Sequence, residues 1–223
     1  MNEPTSRSPQ PQQPPRPIKG RERDRVQDDA RIAALITDCL RGDESSYAAL
    51  YDLTAPDTYR LAYSILLDES DAEDVVQETF VYAFRSLRKF DPVRGSFRAW
   101  LYTITVSRCR NARRRKWLPT IQLSQLLGHG AEPADSDEAA PEVMAARSGV
   151  LAALEQALAT LSPRLREAVA LRYGQGLTYR EMADVLGIPQ KTAESRIRLA
   201  HEGIKAAMST ADVAMLQEVL GFR

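Results

Sequence analysis

The sequence predicts an all-α protein made of two small helical domains joined by a flexible linker. Apolar residues recur at helical spacing over residues 28–116 and again from about residue 147, and no stretch alternates in the way typical of a strand. Between these segments, residues 117–146 lose the periodicity and gain Pro, Ala, Asp and Glu, as linkers do. The predicted segments are a tail (1–27), a helical domain (28–116), an acidic linker (117–146), a second helical domain (147–208) and an amphipathic extension (209–223).

Charge is balanced overall but segregated along the chain. The 30 Lys and Arg residues equal the 30 Asp and Glu residues in number. Residues 108–116 nevertheless carry six cations and no acid, whereas residues 131–142 carry five acids and no cation. Separated charge lets one neutral chain offer different faces to different partners.

Several protein classes are excluded by composition. The two cysteines, Cys39 and Cys109, have neither a disulfide-type nor a metal-type spacing. The N-terminus lacks an apolar signal core, and no apolar run is long enough to span a bilayer. We therefore expect a soluble cytoplasmic protein without membrane insertion, cofactor or metal.

The tail and the first helices follow from composition and spacing. Residues 1–27 are rich in Pro, Gln, Arg and Ser, which predicts a disordered basic tail, either simply solvated or in weak contact with DNA. A helix should then end near Gly42, and Pro56 should break or kink the next one. The apolar positions that define these helices are Ile32, Leu35, Ile36, Leu40, Tyr47, Leu50, Tyr51, Leu61, Ala62, Ile65 and Leu66.

An acid-rich helix is predicted from Asp71 onward. Its apolar face contains Val76, Phe80, Ala83, Phe84 and Leu87. Its first acids, Asp71, Glu73 and Asp74, suit the positive end of the helix dipole. Gln77 and Glu78 lie one turn further along, where capping does not account for them. A protein partner with basic residues would account for them.

A loop and a basic helix follow. Pro92 and Gly95 predict a loop over residues 90–96, and the next helix buries Phe97, Leu101 and Ile104. Its β-branched run, residues 103–106, is a mild objection to a helix. The cations at its end either complement the helix dipole or bind a nucleic-acid backbone, and one or two nearby rings would then stack bases. These rings are Phe90, Phe97, Trp100 and Tyr102.

The second domain contains a helix-turn-helix pattern. Ser162 and Pro163 predict one helix start, with Ser162 as cap, and Gly174 and Gly176 predict its end. Thr178 and Glu181 then form a capping box, and Gly187 with Pro189 forms the turn. The second helix starts near Gln190 and should bury Ala193, Ile197, Ala200 and Ile204. Its outward residues would enter the major groove of DNA, unless the hairpin is merely solvated.

Three motifs together resemble the extracytoplasmic-function group of bacterial RNA polymerase sigma factors. They are DAEDVVQETFVYAFRSLRKFD, RGSFRAWLYTITVSRCRN and LSPRLREAVALRYGQGLTYREMADVLGIPQKTAESRIRLA. The resemblance covers roughly residues 30–116 and 147–207. It implies a sigma-2 domain that binds polymerase and opens the −10 promoter element, and a sigma-4 domain that reads the −35 element.

The resemblance also implies site residues and partners. The partners would be core RNA polymerase (β′ clamp helices and β subunit) and promoter DNA. Core polymerase would contact Asp74, Gln77 and Glu78. The −10 element would contact Phe90, Arg94 and Ser96, which would hold a flipped base, and Ser107, Arg108, Arg110, Asn111 and Arg114. The −35 element would contact Gln190, Lys191, Thr192, Glu194, Ser195, Arg196 and Arg198.

Two departures from the family pattern concern DNA contacts. Ser107 stands where relatives often have Asn, so the contact expected there is open. Glu194 reverses a charge on the recognition helix, where it either accepts from a cytosine or weakens phosphate binding. The −35 sequence therefore does not carry over from relatives.

Alternative functions are a DNA-binding regulator that works without polymerase and an enzyme acting on nucleic acid. Residues 160–207 alone permit the regulator, but the segment DVVQETF argues against it. The enzyme lacks a metal-ligand cluster and a phosphate-binding glycine loop, so no catalytic residue is expected. The apolar stripe of residues 209–223 either packs on the second domain or contacts a regulator such as an anti-sigma factor.

Overall fold

The computed structural model describes residues 19–117 and 152–209, and their regular structure is helical. The N-terminal body consists of α1 (Lys19–Arg41), α2 (Glu44–Leu66), α3 (Glu69–Arg85) and α4 (Phe97–Trp117), with a short 3₁₀ turn at Leu87–Lys89. The C-terminal body consists of α5 (152–160), α6 (Pro163–Val169), a π turn at Ala170–Gly174, α7 (Tyr179–Leu186) and α8 (Gln190–Ala207). The predicted all-α class is confirmed. Residues 1–18 of the predicted tail, most of the predicted linker and nearly all of the C-terminal extension lie outside the described residues.

Helix starts in the N-terminal body differ from the sequence prediction at two places. Helix α1 begins at Lys19, inside the segment predicted to be a tail. Helix α3 begins at Glu69 rather than Asp71, because the Asp68 carboxylate accepts a hydrogen bond from the Asp71 N–H at 2.9 Å. The acids of its first turn are therefore Glu69 and Asp71, and Asp74 lies beyond that turn.

Pro56 lies within α2, so the expected helix break is absent. Proline has no backbone N–H, so the carbonyl four residues earlier loses its helical hydrogen bond. Because Pro56 is exposed, this carbonyl lies near solvent. The buried hydroxyls of Thr54 and Thr58 donate to the carbonyls of Leu50 and Thr54, at 2.7 and 2.8 Å. Helix α2 therefore runs unbroken as a central element of the body.

A buried arginine ties three helices of the N-terminal body together. Arg98, in the first turn of α4, has a side chain only 11% exposed. Its guanidinium pairs with Asp28 of α1 at 3.0 Å and with Asp57 of α2. A guanidinium removed from water needs such partners, since an unpaired buried charge is strongly destabilising. These ion pairs fix the start of α4, after the 90–96 loop, relative to α1 and α2.

Two hydrophobic cores are present, and α4 contributes to both. Leu101 and Ile104 face the first core, within the N-terminal body, whereas Tyr102, Val106 and Cys109 follow helical spacing onto a different side. The first core contains Ile32, Ile36, Cys39, Leu50, Val76, Phe80, Ala83, Leu87 and Phe97. The β-branched run at residues 103–106, a mild objection to a helix, places Ile104 in the first core and Val106 on the other side of α4.

The second core includes residues of both bodies. The N-terminal body contributes Leu61, Ile65, Val75, Tyr102, Val106 and Cys109, and the C-terminal body contributes Leu161, Leu171, Met182, Val185, Ile197 and Ile204. The sequence predicted two separate bodies, whereas in the structure they pack against each other. The reason is that α2 and α4 both carry apolar side chains beyond those of the first core, and these pack against the C-terminal body.

The C-terminal body is shaped by turns and one close helix approach. Gly187 has φ +66°, the left-handed conformation that the tight turn between α7 and α8 requires. A Cβ at Gly203 would lie 2.6 Å from Leu161 Cδ2, so glycine lets α8 approach that side chain. Ser162 lies at the start of α6 but its side chain makes no capping hydrogen bond, so that predicted cap is wrong. Pro163 at the first helical position favours the start instead.

We predict that Asp68→Ala lowers the free energy of unfolding by about 1 kcal/mol, because it removes the cap of α3. The Asp71 N–H and Lys116, at 3.1 Å, hold the pKa of Asp68 below its usual range. The stabilisation should therefore be present above about pH 4 and be lost as the pH falls further. Urea unfolding at neutral pH measures the difference. Asp74→Ala, which removes an exposed carboxylate from the same helix, is the control, and an equal loss there would contradict the capping role.

Candidate nucleic-acid interface

A cavity of about 500 Å³ lies beneath the loop that joins the 3₁₀ turn to α4. Phe90, Arg94 and Ser96, the three residues predicted to hold a flipped base, all line it. It is lined further by Lys89, Asp91, Gly95, Ala99, Trp100 and Thr103 and, from α7, by Asp184 and Val185. The structure therefore brings these three predicted residues together, beside Lys89 and the Trp100 ring.

The walls of this cavity are held by ring packing and by a helix cap. Phe90 is half-buried and packs on Phe97 and Trp100, with ring centroids 5.5 and 5.6 Å away. The Ser96 hydroxyl accepts a hydrogen bond from the Ala99 N–H at 3.2 Å, which caps the start of α4. Ser96 thus has a structural role in addition to any contact with a base.

The basic end of α4 is largely neutralised by carboxylates of the chain itself. Arg115 donates to Glu78 at 2.9 Å, and Arg108 lies over the Tyr82 ring at 5.1 Å from its centroid. Lys116 pairs with Asp68 and Asp71. Local carboxylates therefore occupy several of the positions where phosphates were expected.

The remaining predicted contacts of α4 have different degrees of access. Ser107 is exposed and Asn111 is half-buried. The Asn111 side-chain oxygen accepts a hydrogen bond from the exposed Arg114 guanidinium. Arg110 points the other way, toward the C-terminal body. Ser107, Asn111 and Arg114 share the solvent side of α4, where a nucleic-acid backbone can approach them.

Arg110 contacts Glu167 of α6, a residue that sequence reasoning did not single out. Its Nε and Nη2 atoms donate to the two carboxylate oxygens at 3.1 and 2.7 Å. Arg113 adds a third contact at 3.6 Å, and the Glu167 side chain is fully buried. The hydrogen bond to Glu167 raises the pKa of Arg110. In the sequence, Glu167 stands next to the apolar positions of α6. Helical spacing alone does not show whether such an acid is buried or lies on the surface.

The helix-turn-helix forms as predicted. The Thr178 hydroxyl accepts from the Glu181 N–H, and the Glu181 carboxylate accepts from the Thr178 N–H at 2.7 Å, which completes the capping box. The four predicted inward residues of α8, Ala193, Ile197, Ala200 and Ile204, are all buried. The first turn of α8 is therefore presented outward at its positive end.

The predicted −35 residues divide into exposed and partly buried ones. Gln190, Lys191, Thr192, Glu194 and Arg198 are exposed. Gln190 donates to Glu194 at 2.8 Å, and Arg198 donates to Glu202 at 2.7 Å. Glu194 therefore orients the glutamine side chain that would read a base.

Ser195 and Arg196 are half-buried, so their expected outward placement does not hold in this arrangement. The Nη1 atom of Arg196 is buried without a hydrogen-bond partner among the described residues. Burial lowers the pKa of Arg196, and Arg110 and Arg164 lower it further while Glu167 raises it. Arg196 thus lies near the contact between the two bodies.

The acidic helix presents a second surface, next to a groove. Asp74 and Gln77 are exposed on α3, whereas Glu78 is half-buried and held by the arginines of α4. A cavity of about 520 Å³ lies between α2 and α3 beside Gln77. Its walls contain Tyr51, Asp52, Ala55, Pro56, Tyr59, Glu73 and Val76. An apolar floor with an acidic rim suits a basic, partly apolar protein segment.

Within residues 19–117 and 152–209, no group of three or more His, Cys, Asp or Glu side chains could hold a metal ion, and no helix is long and apolar enough to cross a membrane. Both cysteines are buried thiols. Burial raises the pKa of Cys109 to about 12. Cys109 therefore remains a neutral packing residue rather than a nucleophile.

The chain matches two models of one protein family. Residues 50–118 match the model described as Sigma-70 region 2, and residues 151–201 match Sigma-70, region 4. These ranges contain the N-terminal body from α2 onward and most of the C-terminal body.

Curated relatives are RNA polymerase sigma factors. The chain is 32% identical to ECF RNA polymerase sigma factor SigE of Mycolicibacterium smegmatis, over 74% of this chain and 63% of that protein, so it spans less than two thirds of SigE. It is 32% identical to RNA polymerase sigma factor CnrH of Cupriavidus metallidurans, over 78% of this chain and 92% of CnrH. It is 30% identical to RNA polymerase sigma-H factor of Pseudomonas aeruginosa, over 78% of this chain and 92% of that protein.

Solved structures of similar fold include two sigma factors bound to other proteins. CnrH in complex with the cytosolic domain of CnrY has a TM-score of 0.56 at 28% identity and covers 80% of this chain and 95% of that chain. RpoE of Bartonella quintana in complex with the anti-sigma factor NepR has a TM-score of 0.55 at 24% identity, over 72% of this chain and 95% of that chain. The second likeness concerns the fold alone.

We predict that His201 makes the C-terminal body less stable in mild acid. His201 Nε2 lies 2.6 Å from the Tyr173 hydroxyl, and burial, with a smaller effect of Lys205, lowers its pKa. His201 therefore binds a proton more readily in the unfolded chain than in the folded one. The free energy of unfolding should fall as the pH drops below about 6.5. Urea unfolding between about pH 7 and pH 5 measures this slope. His201→Gln should flatten it, and an unchanged slope in that variant would contradict the assignment.

Proposed function

The chain belongs to the extracytoplasmic-function group of RNA polymerase sigma factors, and from this premise we propose that its two bodies divide promoter recognition between them. Members of this family are initiation factors that direct RNA polymerase to promoters. The chain is accordingly a specificity factor and not an enzyme. We assign −10 recognition and core binding to residues 28–116, and −35 recognition to residues 147–208, with the linker 117–146 between them.

The cavity under the 90–96 loop is the observation that carries the proposal. A base turned out of a DNA duplex needs a pocket that offers both a ring to pack on and polar groups for its edge. Trp100 supplies the ring, and Arg94 with Lys89 supplies donors and attracts the adjoining phosphate. The pocket adjoins the helix whose solvent side presents Ser107, Asn111 and Arg114. Pocket and helix together form a continuous path for an opened −10 strand.

The −35 element would be read by the N-terminal half of α8. Gln190, Lys191 and Thr192 occupy its first turn, where the helix dipole favours a phosphate and the side chains reach the base edges. Glu194 holds Gln190 by its amide nitrogen, which leaves the amide oxygen to accept from a base. Arg198 lies further along the same exposed side. Ser195 and Arg196, half-buried on the same helix, would contribute to this surface with their accessible atoms.

Core polymerase would dock on the groove between α2 and α3. Gln77 lines this groove and Asp74 is exposed on the same helix, and the groove offers apolar surface from Tyr51, Ala55 and Val76. A basic helix pair such as the β′ clamp helices would complement the acids and cover the apolar floor. Glu78 would take part less directly, because Arg115 and Arg108 already hold it. The β subunit would contact the C-terminal body.

A regulatory protein is a further proposed partner. CnrH, which is similar to this chain over most of its length, has been solved with the cytosolic domain of CnrY bound. An anti-sigma factor acting on this chain would need to reach one of the surfaces just described. We place the complex with polymerase in the cytoplasm, associated with the nucleoid.

Transcription by purified components tests the proposed function. The chain should convert core RNA polymerase from non-specific to promoter-dependent synthesis on a library of genomic fragments. Run-off products sequenced at their 5′ ends would give the start sites and, upstream of them, shared −10 and −35 elements. Absence both of core binding and of promoter-dependent product would contradict the proposal.

We predict that Asp74→Lys with Gln77→Ala weakens binding to core polymerase about tenfold or more, or ~1.4 kcal/mol. The change reverses the charge of Asp74 on the solvent side of α3 while both positions are exposed, so helix content should be preserved. Titration of labelled chain against core polymerase measures the affinity. Glu44→Lys, with the same charge change as Asp74→Lys at the exposed start of α2, is the control. Equal weakening in the control would show that the α3 surface has no specific role.

A further inference from the structure

The first two turns of α8 present a hydrogen-bonded pair of side chains to solvent. The Gln190 amide nitrogen donates to the Oε1 atom of Glu194 at 2.8 Å, and both residues are exposed. Within residues 19–117 and 152–209, the second carboxylate oxygen of Glu194, Oε2, makes no hydrogen bond or ion pair. A carboxylate oxygen is therefore available to a ligand in the half of α8 that is proposed to read the −35 element.

We propose that this pair selects a cytosine in the −35 element, with Glu194 as the residue that reads the base and Gln190 as the residue that positions Glu194. The Oε2 atom would accept a hydrogen bond from the N4 amino group of cytosine in the major groove. The assignment rests on the proposed function, since α8 must enter the major groove of promoter DNA for this contact to form.

The hydrogen bond within the pair determines which groups face a base. A carboxylate only accepts hydrogen bonds, so the Gln190 group that meets Glu194 is the amide NH₂. One amide N–H is thereby engaged, while the amide oxygen and the Oε2 atom of Glu194 both remain as acceptors. The exposed edge of the pair is therefore rich in acceptors and carries a negative charge.

Such an edge suits cytosine better than the other bases. Guanine presents only the acceptors N7 and O6 in the major groove, and thymine presents the acceptor O4 beside its methyl group. Adenine has an amino group, but in an A·T pair the acceptors adenine N7 and thymine O4 lie on both sides of it. In a C·G pair the cytosine amino group has the acceptor O6 on one side and only a C–H on the other. A carboxylate therefore meets the least repulsion at cytosine.

Exposed cations beside Glu194 make the approach of a carboxylate to DNA possible. Lys191 lies three residues before it and Arg198 four residues after it, and both side chains are exposed. Glu202 accepts a hydrogen bond from Arg198 at 2.7 Å, so that cation is held on the same helix. Contacts of Lys191 and Arg198 with phosphates would offset the repulsion between Glu194 and the DNA backbone. The carboxylate then affects specificity more than overall affinity.

The pair is ordered before DNA binds, but it contributes little to folding. A side chain already held in its binding conformation loses less conformational entropy on binding, which favours recognition. An exposed hydrogen bond between residues four apart stabilises a helix only slightly. Substitutions at Gln190 and Glu194 should therefore leave the C-terminal body folded, and their effects on DNA preference can be measured without loss of structure.

Selection of DNA by the full chain with core polymerase tests the proposal. A promoter library randomised in the −35 region is bound, recovered and sequenced. The wild type should enrich cytosine about tenfold at one position, and Glu194→Ala should lose that enrichment while the other −35 positions keep theirs. Glu194→Arg should enrich guanine at the same position, because a guanidinium donates to guanine O6 and N7. Gln190→Ala should retain the preference for cytosine in weaker form.

A modified base shows whether the amino group is what is recognised. At the selected position, cytosine is replaced by 2-pyrimidinone, which lacks the N4 amino group. The wild type should lose about tenfold in affinity, whereas Glu194→Ala should bind both DNAs equally. Any weakening of the base pair itself is common to the two proteins, so the difference between them isolates the contact with Glu194.

Glu202→Ala is the matched control. It removes a second exposed acid of α8 that also accepts a hydrogen bond from a residue four positions away. Because Glu202 holds a cation expected to contact phosphate, its loss should change affinity for all sequences alike and leave the cytosine preference intact. Circular dichroism of each variant verifies that the helix content is unchanged.

The proposal is overturned if no position shows a cytosine preference that depends on Glu194, or if adenine is enriched there instead. It is also overturned if Glu194→Ala raises affinity for all sequences equally, which would mean that the carboxylate only repels phosphate, or if Glu202→Ala abolishes the same preference. Promoter-dependent transcription by the wild type is scored separately. Its absence, together with absence of core binding, would refute the proposed function, whereas normal transcription without a Glu194-dependent position would refute only the selection of cytosine.

Discussion

The bidentate contact between Arg110 and Glu167 is the interaction on which the arrangement of the two bodies depends. A fully buried carboxylate is tolerated only where cations reach it, and here the cations come from a helix 57 residues earlier in the chain. Around it, α4 packs on α7, while α2 packs on α6 and on the π turn. The ion pair gives this packing a defined register, and the packing in turn excludes water from the ion pair.

The same physical logic explains why acidic and basic segments coexist in a small neutral chain. The arginines and lysine of α4 suit a nucleic-acid backbone, but in the absence of DNA they need anions nearby. Glu78, Asp68 and Asp71 provide these anions from the adjacent helix. Asp68 therefore caps α3, and Asp68, Asp71 and Glu78 neutralise α4, while Asp74 and Gln77 are exposed to solvent. The acids that pair with α4 and the exposed residues proposed to meet a protein partner occupy different positions along one helix.

The sequence by itself determined the helical class and the helix-turn-helix with its capping box and αL glycine, because these depend on local spacing and turn chemistry. The grouping of Phe90, Arg94 and Ser96 was implied by the family resemblance, and all three line one cavity. Only the tertiary structure decided that Pro56 is tolerated within α2, that Glu78 is occupied, and that Glu167, Asp184 and Arg196 lie at one contact between the bodies. These outcomes depend on which helix faces are brought together by long-range packing. Periodicity shows that α4 has apolar positions, but it does not show that two separate cores share them.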